Sequence, residues 1–214
     1  MQARPQHGRA CWLLQAKNDY PIKNVGFGVF HLIKNVLFVW NYPIICVTEV
    51  AIQWLLDAGV VYKTTRVSKI SMPLKFYENQ SDFKLFLLDV GLLGCMADIP
   101  AANILIRDNE IKEFKGMLTV NYMAQQIKAA GITPYYWSKG NSAAEIDFAI
   151  QMESAVWPIE VKAETNLRAR SLTQYIKDNP GIRGLRFSML GYEQWPEVTN
   201  IPLFAAEAYF EAGE

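Results

Sequence analysis

Soft metal ligands are nearly absent from this 214-residue chain, which holds two histidines, His7 and His31, and three cysteines, Cys11, Cys46 and Cys95. The cysteines are odd in number and widely spaced, which excludes a disulfide framework and a CxxC metal knuckle. Reduced thiols of a cytoplasmic protein are the reading that remains. A zinc site in the C-terminal half would find neither imidazole nor thiolate there. A metal in that half must be held by oxygen, which points to magnesium or manganese. Net charge is absent as well: 21 Lys and Arg balance 21 Asp and Glu. Overall charge therefore supplies no attraction for nucleic acid, and a basic surface would have to be local. Long apolar runs are also missing. Val25 to Val47 is interrupted by His31, Lys34, Asn35, Asn41 and Pro43, whereas a membrane helix needs about 20 mostly apolar residues. No membrane partner is expected. Residues 1–24 lack the apolar core and small-residue cleavage site of a signal peptide.

Apolar residues are plentiful: 51% of the chain is hydrophobic, enough for a packed core. Composition changes near residue 49. Before it the one acidic residue is Asp19, against Arg4, Arg9, Lys17, Lys23 and Lys34. Residues 1–48 form a distinct N-terminal segment. Beyond it, Ala51 to Gly59 has Ile52, Leu55 and Leu56 on one helical face and a glycine stop. Val60 to Val67 is β-branched and predicts a strand. A connection with Pro73 runs from Ser68 to Gln80, and Phe83 to Leu88 predicts a second strand. Helix plus long-tipped hairpin is the pattern of a winged helix, and equally of a generic α+β connector.

Further on, Met117, Val120, Ala124 and Ile127 recur at helical spacing within Ile111 to Ala130, and Gly131 ends that helix. Strands are expected at Tyr135–Trp137, Ala144–Gln151, Val156–Ala163, Leu185–Leu190 and Leu203–Ala206. A helix capped by Asn166 is expected from about Leu167 to Lys177, closed by Asn179-Pro180-Gly181. The mixture predicts an α+β (α/β) fold.

Chemistry concentrates on two strands. In Glu145-Ile146-Asp147-Phe148-Ala149-Ile150, alternation puts Ile146, Phe148 and Ile150 on one face and Glu145 and Asp147 on the other. In Ile159-Glu160-Val161-Lys162 the polar pair again shares a face. Antiparallel pairing of Asp147 with Glu160 leaves an even-numbered loop, Met152 to Ala155, and sets Glu145 across from Lys162. Two carboxylates then lie within about 5 Å of each other, and they repel unless a cation separates them. A divalent ion answers that need, and so does the lysine. Asp147, Glu160 and the Val161 carbonyl would hold magnesium, which polarises a phosphate and acidifies a bound water. Lys162 would position the water and stabilise the pentavalent transition state, with Glu145 as a second-shell or second-metal ligand. A lone E-x-K also fits a solvated strand face; the E-I-D on the preceding strand narrows the choice. Lys139, Arg168 and Arg170 flank the site and would reach phosphates, or belong to an ordinary surface.

These residues carry a resemblance. Phe83-Lys84-Leu85-Phe86-Leu87-Leu88-Asp89-Val90-Gly91-Leu92-Leu93 resembles the F-K-L-Y-L-L-D-V-G-L-L signature of bacterial and archaeal ATPases that end in a DUF4143 domain. Lys115-Gly116-Met117-Leu118-Thr119-Val120-Asn121-Tyr122 resembles their K-G-A-L-T-E-N-Y. Tyr135-Tyr136-Trp137, Glu145-Ile146-Asp147-Phe148, Pro158-Ile159-Glu160-Val161-Lys162-Ala163 and Asn200 to Ala206 come next in family order, so the likeness spans about 49–210. It implies a winged-helix-like segment over 49–99 and a restriction-endonuclease-like, PD-(D/E)xK domain over 100–214, with a mixed central sheet flanked by helices. It further implies a metal-dependent nuclease site acting on DNA, or a non-catalytic DNA- or protein-binding module of an ATPase family. Two departures stand out. No G-x-x-x-x-G-K-S/T occurs in the chain, so no ATP site is expected; the absent ATPase leads to the expectation of a truncated or frame-disrupted product, a remnant of the family. Val120 stands where the family helix carries glutamate, which points to an incomplete catalytic set.

Overall fold

The computed structural model describes residues 52–97, 112–139, 144–164 and 170–212. The segment 1–48, the Asn166 cap, Arg168 and the side chain of Arg170 lie outside the described residues. A short helix, α1, covers residues 52–57 and stops at Gly59, which adopts a φ of 68°. Strands β1 (Val61–Val67) and β2 (Glu78–Leu87) form an antiparallel hairpin. Helix α2 (Val90–Met96) and the long α3 (Lys112–Ala129) come next. Then come β3 (Tyr135–Ser138), β4 (Glu145–Met152), β5 (Ala155–Val161), α4 (Arg170–Asp178) and β6 (Gly184–Ser188). The chain closes with β7 (Glu193–Gln194), β8 (Val198–Pro202) and α5 (Ala206–Glu211).

All eight strands belong to one sheet in the order β2-β1-β3-β4-β5-β6-β8-β7. It is mixed: β1 and β3, β5 and β6, and β6 and β8 run parallel, while the other neighbours run antiparallel. Alternation along the strands loads both faces with apolar side chains. Phe148, Ile150, Ile159, Val161, Leu185 and Phe187 pack with Met123, Ala124 and Ile127 of α3 and Phe210 of α5. Ala149, Tyr135 and Val198 pack on the other side with Leu172, Tyr175 and Ile176 of α4. The molecule is therefore mixed α/β, a sheet between two helical layers.

Several expectations change on this frame. The β1–β2 hairpin is not set apart from the rest of the chain; β1 pairs with β3 and extends the common sheet. Strand β2 begins at Glu78, earlier than the hydrophobic run suggests. The polar stretch before Phe83 is drawn in by a register shift between Thr65 and Arg66, pinned by an Arg66–Asp82 ion pair at 2.7 Å. Helix α2 has no counterpart in the periodicity reading, because it is short. Its signal is Asp89, whose Oδ1 accepts from Gly91 N and Leu92 N at 2.7 and 3.0 Å, an N-cap. Leu203–Ala206 is not a strand: β8 ends at Pro202, and a 3-10 turn at Leu203–Ala205 leads into α5. The alanines there favour helix. Residues 200–202 of the same motif do lie in β8.

Strand β2 is a sheet edge, so its outward backbone groups need partners. Asn121 of α3 supplies them. Its Nδ2 donates to Leu87 O at 3.0 Å and its Oδ1 accepts from Leu87 N at 2.8 Å. Both contacts are buried, so their loss strands two backbone groups as well as cutting the tie between helix and edge. Asn121→Ala is expected to destabilise the fold by about 2–4 kcal/mol, read as a lower urea midpoint at unchanged slope. A loss within about 0.5 kcal/mol, the range of an ordinary surface substitution, would contradict this role.

Candidate functional site

The site is built where β4 and β5 diverge from their hairpin turn. Pairing Phe148↔Ile159, Ala149↔Pro158 and Ile150↔Trp157 runs down to Met152↔Ala155. One further step along this register sets Asp147 against Glu160. The proximity shows at Glu160, which is raised by burial first and then by the negative charge of Asp147. Asp147 is anchored from β5, since its Oδ2 accepts from Val161 N at 2.8 Å. Glu160 is 6% exposed. One of its oxygens, Oε1, pairs with Lys162 Nζ, and the other, Oε2, is buried with no hydrogen-bond partner. Lys162 N donates to Phe187 O at 2.8 Å, which ties the end of this motif to β6.

Glu145 is placed differently from Asp147. Strand β4 carries one extra residue against β3, because Tyr135 pairs with Ala149 whereas Trp137 pairs with Ile146. This bulge breaks the simple alternation. Ile146 consequently packs with Ala149 under α4, and not with Phe148 and Ile150 as alternation predicts. Glu145, on the near side of the bulge, is bonded to Lys84 of β2. The lysine that bonds Glu145 is thus Lys84 of β2, whereas Lys162 bonds Glu160.

Three further groups belong to this neighbourhood. Lys84 is 6% exposed and its Nζ lies 4.6 Å from the centroid of the Tyr136 ring. Arg186 pairs in register with Glu160 across β5 and β6 and sits 5.5 Å from the Trp195 ring. The Tyr136 hydroxyl is pushed up to about 12, first by burial and then by the charges of Asp82 and Glu145, so it stays protonated near neutrality. Each cation interrupts an apolar strand, Phe83-Lys84-Leu85 and Leu185-Arg186-Phe187. A lone charge inside a hydrophobic run is the sequence signal that would have found them.

The remaining predicted residues contribute less. Lys139 is exposed beyond the end of β3 and its backbone N donates to Ala144 O at 3.0 Å. Val120 packs against the α3-side core, so that helix position offers no acid. Among the described residues, no group of three or more His, Cys, Asp or Glu side chains is arranged to hold a metal ion, and no helix is long and apolar enough to cross a membrane. The donor set at the site is therefore two carboxylates and backbone oxygen. That set suits magnesium, which keeps several waters and takes one or two carboxylates. The orphaned, buried Glu160 Oε2 is an oxygen in want of a cation or a donor.

Burial is the main force on both acids. It raises Asp147, against the pull of Lys84, the Val161 N–H and Lys162. It raises Glu160 to about 7, with the Asp147 charge adding to the effect and Lys162 and Arg186 opposing it. An acid raised on folding stabilises the native state below its unfolded value, about 4.3 for glutamate, and loses that stabilisation as pH rises through the folded value. The window for Glu160 is therefore roughly pH 4.3 to 7. In chelator-treated protein, Glu160→Gln is expected to gain stability over wild type on going from pH 5 to pH 8, by on the order of 2–3 kcal/mol. Thermal unfolding at the two pH values measures it. An equal effect of the substitution at both would sink the assignment.

Comparison with known proteins reaches the same region of the chain. No curated protein matches the chain, and no solved structure does. Residues 115–194, which run from α3 through β7 and include Asp147, Glu160 and Lys162, match the family described as Domain of unknown function (DUF4143).

Proposed function

We propose that the chain carries a divergent metal-dependent nuclease site of the PD-(D/E)xK kind, acting on DNA phosphodiesters. The observation that carries this reading is the pair Asp147, held by Val161 N of β5, and buried Glu160, with an unpartnered Glu160 oxygen and Lys162 alongside. Two carboxylates in a dry site are costly unless a cation joins them. The chain order supports the reading too: helix α3, three antiparallel strands, helix α4, then a strand parallel to the last of them. It agrees with the mixed central sheet flanked by helices that the resemblance implies.

Asp147, Glu160 and the Val161 carbonyl would hold magnesium or manganese. Such an ion supplies Lewis-acid polarisation of a phosphate and a more acidic bound water. The chain's own part is positional. The Val161 N–H orients the Asp147 carboxylate. Lys162 pairs with Glu160 in this structure, and with a cation held by the carboxylates its ammonium would be available to a water or to a phosphate oxygen. Arg186 and Lys84 keep positive charge beside a site that would face a polyanion.

One observation favours a second reading, a module that binds DNA or a protein without cutting. Val120 fills the helix position that would complete the acidic set, and it packs into the core. Cleavage of labelled DNA with magnesium or manganese separates the two. The nuclease reading expects cleavage that Asp147→Ala and Lys162→Ala each reduce at least about 100-fold, the scale of losing a group that acts in the transition state. Salt-sensitive DNA binding without cleavage would replace it with the module. Cleavage untouched by either substitution would remove these residues from the chemistry.

A further inference from the structure

One strand away from the carboxylates lies a buried charge that the core does not use. Arg186 is 6% exposed, and its Nε is buried with no hydrogen-bond partner. Among the described residues it forms no ion pair. Glu160, its neighbour in register on β5, bonds Lys162 instead. A buried guanidinium without a bonded anion is costly, and its planar fork matches a phosphate. What Arg186 does meet is a ring: its guanidinium carbon lies 5.5 Å from the centroid of Trp195. Both residues line a cavity of about 350 Å³, with Thr173, Pro196, Glu197 and Val198. That volume is at the small end of ligand clefts. Thr173 comes from α4, and Trp195, Pro196 and Glu197 form the turn between β7 and β8. The turn is tied down at two points, since Trp195 N donates to Val198 O and Gly184 N donates to Glu197 O, each at 2.9 Å. Trp195 is nevertheless 36% exposed, so part of a fixed aromatic ring is open to a partner. The acid on the lining, Glu197, is exposed, and solvent and salt screen its charge.

We infer that the Arg186–Trp195 cavity receives an unpaired nucleotide of a nucleic-acid strand, its phosphate on Arg186 and its base on the Trp195 ring. A cationic group beside an aromatic platform is the combination that holds single strands. In a duplex the bases are stacked and paired, whereas an unpaired base has its face free for an aromatic side chain. The substrate class is therefore single-stranded or frayed nucleic acid in preference to intact duplex. Neighbouring strands lie about 4.8 Å apart, so a phosphate on Arg186 stands one strand spacing from Glu160. The inference rests on the DNA reading proposed above for what happens to that phosphate, and goes beyond it by naming the form of the substrate and the residues that select it.

Fluorescence anisotropy of labelled oligothymidylate on the full chain, in chelator so that no cleavage is involved, tests this. Wild type is expected to bind the single strand at least about 10-fold more tightly than a blunt duplex of the same length. Trp195→Ala should weaken strand binding by about 5- to 150-fold, the scale of one base stacked on an aromatic ring, and leave duplex binding unchanged. Trp195→Phe should keep most of the affinity, and a strand without bases should bind wild type as weakly as oligothymidylate binds Trp195→Ala. Arg186→Met should weaken the strand as well; if that buried substitution fails to fold, the half-exposed Trp195 variants decide alone. Equal affinity for strand and duplex would overturn the inference, as would a Trp195→Ala variant that binds the strand like wild type, or no binding of either. A strand bound no more tightly than free thymidine monophosphate would overturn it in favour of a free nucleotide. Strand binding of the expected pattern without cleavage in magnesium upholds this cavity and removes the nuclease, so the two readings fail separately.

Discussion

Two carboxylates that cannot both be charged in a dry site, Asp147 and Glu160, set the requirement that their surroundings meet. Burial works against the charged form of each; the charge of Asp147 adds to this at Glu160, and the charge of Glu145 adds to it at Asp147. Four groups answer with donors or positive charge: the Val161 N–H of β5, Lys162 just after it, Lys84 of β2 and Arg186 of β6. The cluster is consequently a property of the whole sheet, since strands far apart in sequence supply it. Arg186 is itself lowered by burial and raised again by Glu160, so the compensation runs both ways. Compensation is also incomplete. Glu160 retains an unpartnered oxygen, and Arg186 Nε is likewise without a partner. Polar groups left unsatisfied in a core cost stability, and such costs collect at functional sites.

The frame around the cluster uses ordinary devices. Core packing comes from the two apolar faces of the sheet, one under α3 and α5 and one under α4. Beyond it, single polar side chains tie elements together where backbone groups would go unpaired. Asn121 closes the edge of β2. Tyr175 of α4 accepts from Ile70 N at 3.1 Å and so reaches the loop after β1. Ser188 and Asn200 bond each other at 2.8 Å, and Asn200 continues to Gly191 O, fixing the loop between β6 and β7. Gly184 admits α4 to close range over β6, because a Cβ there would stand 2.9 Å from Leu172 and Ile176 side chains. These ties keep β4, β5 and β6 in fixed relation, which is what a site assembled from several strands requires.

Much of this is legible in the chain alone. The periodicity of Met117 to Ile127, the glycine at 131 and the paired strands around a short turn read directly as elements, because they are local signals: 3.6- and 2-residue repeats and a glycine at φ 73°. The Asp147–Glu160 register also comes from a local feature, the parity of a short hairpin. What local reading missed was short or depended on distant strands. Helix α2 has only 7 residues, too few for a periodic stripe. The polar start of β2 pairs only past an irregularity in which β2 carries the extra residues, between Asn79 and Phe83, against Thr65 and Arg66 of β1. The segment after Pro202 carries apolar residues that suit a strand or a helix equally; as a helix it sets Phe210 against Phe187 of β6, with ring centroids 5.4 Å apart.

By itself the sequence determined the inventory: carboxylates without histidine or cysteine in the C-terminal half, acids and a lysine at alternating strand positions, and an apolar valine at position 120 of the helical stripe. These are matters of residue type and spacing, and no fold can alter them. The tertiary structure decided which acid belongs to which cation. Strand β4 carries an extra residue against β3 at this end, Glu145 bonds Lys84 of the distant β2 and Glu160 bonds Lys162, while Asp147 feels both lysines. That choice depends on strand order, with β2 and β1 joined to β3, and on the loss of water around each carboxylate. Both are long-range consequences of packing, which residue spacing along a single strand does not contain.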